Sequence, residues 1–168
     1  MIKSLPAPPD FVRRRYNRLA PYYRVFEWIL LLPRGIRERA VRKLQLRPGH
    51  TVLEVGCGSG RNFKYLEAAV DPNGHILGVD LSEQMLGRCR ALCEKSGWHN
   101  VTLVRRDALE YAMSRRVNAV LFSLSYCTML HREQILGHVW SQLEPGGRLV
   151  ILEGDERPRS SAAGCAQR

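Results

Sequence analysis

The stretch Val52–Phe63, VLEVGCGSGRNF, decides the fold. The run Thr51–Val55 has the size and composition of a buried strand. It leads into a segment where every second residue, at 56, 58 and 60, is glycine, and a helical pattern follows from Arg61. Glycines spaced in this way let a chain turn sharply and let a ligand touch bare backbone. The N–H groups of the helix that follows face the same point and favour an anionic group there. The register is GxGxG. A dinucleotide fingerprint needs a small residue where Arg61 stands, and a phosphate-binding Walker loop needs a Lys-Ser/Thr pair that is absent, so both ligand classes are disfavoured.

Outward from this loop, short apolar runs alternate with amphipathic stretches. Strands are predicted at Thr51–Val55, His75–Asp80, Val101–Arg105, Ala119–Leu124 and Arg148–Glu153. Helices are predicted at Arg61–Ala69, Ser82–Ser96 and Arg132–Leu143, with a shorter one over Ala108–Met113. This alternation specifies an α/β fold: a Rossmann-like, doubly wound sheet of five parallel strands in the order 3-2-1-4-5, with helices on both faces. In such a sheet the ligand lies at the carboxyl ends of the strands. Asp80 ends the second strand, twenty residues after Gly60, where a carboxylate accepts hydrogen bonds from ribose hydroxyls. Ser82 reads as the cap of the next helix, and Asp107 follows the third strand within reach of the same cleft.

These residues carry a resemblance. VLEVGCGSGRNF, GVDLSEQML, RRDALEY and LEPGGRLVILE resemble, in order and spacing, the successive motifs of class I S-adenosylmethionine-dependent methyltransferases over Val52–Glu153. The resemblance implies S-adenosylmethionine as cofactor and methyl transfer as activity. It places Glu54, Gly56, Cys57, Gly58, Ser59 and Gly60 in the methionine-binding loop. It makes Asp80 the ribose acid, puts Leu81 and Met85 near the adenine, and puts Asp107 and Ala108 at the adenine edge. YNRLAPYYRVFE, Tyr16–Glu27, is similar to the N-terminal segment of ubiquinone/menaquinone C-methyltransferases and of bacterial phospholipid N-methyltransferases. In that group a tyrosine-bearing helix closes over the cofactor, and Tyr16 and Tyr22 hold the matching positions.

A sulfonium is already a good leaving group, so the enzyme chiefly aligns the partners and excludes water. A base is needed only when the nucleophile carries a proton of high pKa. The fourth strand delivers Ser123, Ser125 and Tyr126 beside the transferred methyl. Ser123, Tyr126 and His131 are the candidates for catalytic work, Ser123 also as a cofactor contact. The Asn/Asp-Pro-Pro-Tyr motif of many nucleic-acid amino-methylating enzymes is absent, which disfavours a nucleic-acid partner.

Charge is uneven along the 168 residues. Residues 1–50 carry twelve Lys/Arg against three Asp/Glu, and residues 51–168 carry fourteen against thirteen. The basic first fifty residues, with the apolar VFEWILLL beside them, suit an anionic membrane surface; the alternative is a solvated Arg-rich face. The expected organisation is a flexible N-terminus over 1–10, a basic helical segment or lid over 11–47, the cofactor domain over 48–154 and a disordered tail over 155–168. Five cysteines without a CxxC, and no secretory signal or membrane-spanning run, lead to the expectation of a cytoplasmic protein, peripheral at most to a membrane. Cys89 and Cys93 share a helix face but lack a histidine pair, so no metal site is expected.

The resembled family closes its sheet with two further antiparallel strands, and none is readable here. The fifth strand is therefore expected to be an open edge, either covered by a second copy in a homodimer or leaving the chain poorly soluble and marginally stable. The expected function is methylation of a small-molecule or lipid-like acceptor. Two alternatives stand beside it: a cofactor-binding partner subunit or truncated isoform without turnover, and an RNA methyltransferase.

Overall fold

The computed structural model describes residues 35–154. Ten elements follow in order: α1 (Ile36–Lys43), β1 (Thr51–Val55), α2 (Phe63–Val70), β2 (His75–Asp80), α3 (Glu83–Ser96), β3 (Val101–Arg105), β4 (Val117–Ser123), a 3-10 turn (Tyr126–Thr128), α4 (Arg132–Ser141) and β5 (Leu143–Leu152). The strands form one parallel sheet in the order β3-β2-β1-β4-β5, as the alternation of the sequence predicts.

Central β1 is buried along most of its length, because both of its faces are covered. Its Val52 lies beside Ile76 of β2 and Ala119 of β4. With Leu121 these side chains form the floor on which α1, α2 and α3 pack through Val41, Leu66 and Leu86. Leu53, Val55, Val79, Val120 and Phe122 face the other way, against Ile135 and Val139 of α4. The helices bury residues at helical spacing: Phe63, Leu66 and Val70 in α2, and Met85, Cys89 and Cys93 in α3. Ser82 caps α3, its hydroxyl accepting from the Met85 N–H at 3.3 Å. Gly97, in the left-handed region, ends that helix.

Several boundaries differ from expectation. No helix forms over Ala108–Met113. Asp107 Oδ1 accepts from the Leu109 N–H at 2.9 Å and closes a turn instead. Leu109, Tyr111 and Met113 then pack on the sheet, a spacing of two that suits extended chain and not a helix. β4 starts at Val117 rather than Ala119, and it stops at Ser123 because Leu124 turns into the left-handed region at φ 57°. β5 starts at Leu143, which pairs with Val117. The chain then bulges through Glu144–Gly147 before Arg148 pairs with Ala119. α2 begins at Phe63, two residues later than Arg61, because the turn that carries the glycines continues through Asn62.

α1 packs on β5 and α2, and Arg37 in its first turn reaches Asn62 and Ser123 at the carboxyl ends of β1 and β4. Among the described residues, β5 pairs with β4 alone, and Ile151 on it is exposed. Tyr16, Tyr22, the 1–10 segment, most of the proposed lid and the 155–168 tail lie outside the described residues.

Candidate functional site

The glycine loop is fastened to β2 from both ends of its turn. The N–H groups of Gly56 and Cys57 both donate to the Val79 carbonyl, at 2.8 and 3.1 Å, and the Gly58 N–H donates to Asp80 Oδ2 at 2.8 Å. Gly56 and Gly58 both have positive φ, at 70° and 55°, but their surroundings differ. A Cβ on Gly56 would lie 2.6 Å from the Cβ of Ser125, so this glycine lets the tips of β1 and β4 meet. A Cβ on Gly58 would make one ordinary contact among the described residues, with the Met85 methyl at 3.6 Å, so there is room in front of this backbone. Ser59 is half-buried beside it, and Gly60 makes room for the Cys89 thiol.

Asp80 is half-buried and serves as an organiser. Its second oxygen, Oδ1, accepts from the Ser82 N–H at 2.8 Å. Burial pushes its pKa up, while the Ser82 and Gly58 N–H groups pull it down. Leu81 is exposed beside it, and Met85 is buried under the loop. Asp107 uses one oxygen on its own turn, next to buried Ala108. These residues line the carboxyl ends of β1, β2 and β3, where the sequence places them.

Glu54 is almost wholly buried, at 1% exposure, on the α1–α2 face of the sheet. Asn62 Nδ2 donates to Glu54 Oε1 at 2.5 Å, and Glu54 Oε2 accepts no hydrogen bond among the described residues. Burial pushes the carboxyl up to about 8 from an ordinary 4.5, against the lowering effects of Asn62 and Arg37. Arg37, from α1, donates to Asn62 Oδ1 at 3.3 Å and to Ser123 Oγ at 3.0 Å. Helix α1, the loop, β1 and β4 thus meet in one polar cluster.

Of the catalytic candidates, Ser123 is buried and its hydroxyl accepts a hydrogen bond from Arg37. Tyr126 is half-buried, its ring edge-on to Phe122 at 5.3 Å. His131 is exposed at the N-cap of α4 with φ 55° and makes no side-chain cap bond. Sequence reasoning missed Arg37, Asn62 and Glu153. Glu153 Oε1 accepts from the N–H groups of Tyr126 and Cys127, at 2.6 and 3.3 Å, and so fixes the turn after β4. Asn62 stands in the quoted stretch directly before Phe63, where the helically spaced apolar residues 63, 66 and 70 begin, which is the available signal for it. Arg37 lies among other basic residues and carries none.

The buried thiols of Cys57, Cys89 and Cys93 pack in the core under this loop. Hydrogen bonding to Cys89 and burial push the Cys57 thiol well above its usual value, and burial first pushes Cys93 up to about 12. Such thiols act as small apolar groups.

A family model described as a methyltransferase domain matches residues 52–147, from β1 into β5. The chain belongs to that family. This methyltransferase domain is 23% identical over 145 residues to a demethylmenaquinone methyltransferase of Listeria welshimeri, an alignment covering 84% of this chain and 61% of that one. It is 32% identical over 111 residues to a ubiquinone/menaquinone biosynthesis C-methyltransferase of Ectopseudomonas mendocina, covering 64% of this chain and 43% of the relative. The domain therefore spans about three fifths or less of the length of these relatives. A crystal structure of an S-adenosylmethionine-dependent methyltransferase from Aquifex aeolicus superposes with a TM-score of 0.68 at 19% identity, over 94% of this chain and 79% of the other, a likeness of fold.

Proposed function

We propose that this chain binds S-adenosylmethionine across the tips of β1 and β2 and methylates a small, lipid-like acceptor, with a demethylated quinone favoured. The observation that carries the reading is the pair of carboxyls flanking the glycine loop. Asp80 organises that loop from one side, and Glu54 keeps a buried oxygen without a donor on the other. An adenosyl amino acid has the matching groups: two ribose hydroxyls that donate to Asp80, and an ammonium that donates to Glu54. The open space before Gly58 admits such a ligand against bare backbone.

When bound, the cofactor would supply an electrophilic methyl group on a sulfonium, with the neutral thioether as leaving group. The chain's own residues then hold the geometry. The Ser125 hydroxyl donates to the Val55 carbonyl at 2.7 Å and fixes the β4 tip against the β1 loop. Glu153 fixes the turn that carries Tyr126. Tyr126 and His131 are the candidates to take a proton from an acceptor that must lose one. The quinone preference rests on the two relatives and on the similar N-terminal segment. Among the described residues, no helix is long and apolar enough to cross a membrane. The basic first fifty residues would give access to a lipid-like acceptor at an anionic membrane surface.

The test uses labelled S-adenosylmethionine with demethylated menaquinone in anionic vesicles. Label in the quinone is expected, falling with added salt. Label in phospholipid or RNA instead would overturn the acceptor. Binding without label in any of them would favour a cofactor-binding subunit.

A further inference from the structure

We propose that Glu54 is neutral in the ligand-free protein and becomes a carboxylate when an ammonium-bearing ligand enters, so that binding releases a proton and the site selects for a cation at this position. This deepens the cofactor reading above and rests on it. From the loop, the neutral amide of Asn62 donates to Oε1, while Oε2 accepts nothing among the described residues. A buried carboxylate ion requires a cation or several donors at its oxygens.

The other ionisable groups that act on Glu54 do not remove this requirement. Arg37 of α1 lowers its pKa, but its guanidinium donates to Asn62 Oδ1 and Ser123 Oγ. Asp80 of β2 is a like charge and raises it, and the Cys57 thiol is held protonated by Cys89 and by burial. β4 presents Ser123, a neutral hydroxyl. The balance favours the acid, with a pKa pushed up to about 8. An ammonium donating to Oε2 supplies the missing cation and donor together, and reverses that balance.

The consequence has a definite sign. The free site carries the proton below pH 8, and the bound site has lost it. Affinity for an ammonium-bearing ligand therefore rises with pH up to about 8, by up to about tenfold per unit while one proton is released. A ligand with the adenosyl group but no amino-acid portion shows no such dependence.

The experiment is titration calorimetry of the whole chain with S-adenosylhomocysteine and with 5′-methylthioadenosine, between about pH 5.5 and 7.5, in buffers of different ionisation enthalpy. For the first ligand, the expected result is a buffer-dependent heat that reports release of nearly one proton near neutrality. For the second, no such release is expected. Glu54→Gln keeps the neutral acceptor for Asn62 and cannot ionise, so its affinity for S-adenosylhomocysteine should be flat across the range. Binding of S-adenosylhomocysteine without proton release, or an unchanged slope in Glu54→Gln, overturns the inference and leaves the cofactor reading standing. No binding of either ligand at any pH overturns that reading itself. Should Glu54→Gln fail to fold, the buffer-dependent heats of the unaltered protein still decide.

Discussion

The two halves of the carboxyl edge of the sheet are built differently. At the β1–β2 tips, the backbone fixes the site. Positive φ falls on glycines, and loop N–H groups end on a carbonyl and a carboxylate. At the β4–β5 tips, side chains fix it. Positive φ falls on Leu124 and His131, and the turn between them is held by the carboxylate of Glu153. A backbone-built site suits a ligand that is the same in every catalytic cycle. A side-chain-built site changes with each substitution, which suits the wall that chooses an acceptor.

The largest expected effect separates two glycines of one loop. Gly56→Ala combines a strained φ with a collision against Ser125, and should cost about 3–5 kcal/mol of stability. A thermal melt should then fall by about 10 °C. Gly58→Ala has the strain but not the collision, so it should cost about 1 kcal/mol while weakening S-adenosylhomocysteine binding about a hundredfold. Equal melts for the two variants would show that the β1 and β4 tips are not locked together through Gly56.

Asp80→Ala comes next. It removes charge-assisted acceptors from the ligand and from the Gly58 and Ser82 N–H groups, and should weaken binding by about 1.5–3 kcal/mol. Unchanged affinity in a folded variant would remove Asp80 from the site.

On the other half, Ser123→Ala deletes one bond to Arg37 and should cost about 1 kcal/mol of stability. Cofactor affinity should hardly change. A loss of methyl transfer far beyond that small cost, at unchanged affinity, would make Ser123 a catalytic residue and blur the contrast between the halves. The smallest effect belongs to His131→Gly, which relieves a left-handed backbone at an exposed residue and should stabilise by about 0.5–1 kcal/mol. A histidine acting as base would show instead as a collapse of turnover.

The same division governs what the sequence reveals. The β1–β2 half is legible because its devices are local. Gly56, Gly58, Gly60 and Asp80 each announce a backbone need within a few residues of a strand end. The strand order follows equally well, since alternating elements permit few parallel topologies. The cluster around Glu54 is not legible. Arg37 lies 86 residues from the Ser123 hydroxyl it holds, and only the fold brings them together. Ala108–Met113 misleads because it is short, and an apolar residue at every second position there is met by a turn and extended chain covering the sheet. The start of β5 is hidden by the bulge through Pro145 and Gly146, residues that read as a turn outside any strand.

The central claim is that the backbone-built half holds an adenosyl amino acid. Titration calorimetry of the whole chain with S-adenosylhomocysteine, and with NAD as competitor, tests it most directly. Micromolar affinity, about −8 kcal/mol, is expected for S-adenosylhomocysteine, with no measurable displacement by NAD. Tighter binding of NAD, or no binding of S-adenosylhomocysteine by the folded protein, would contradict it.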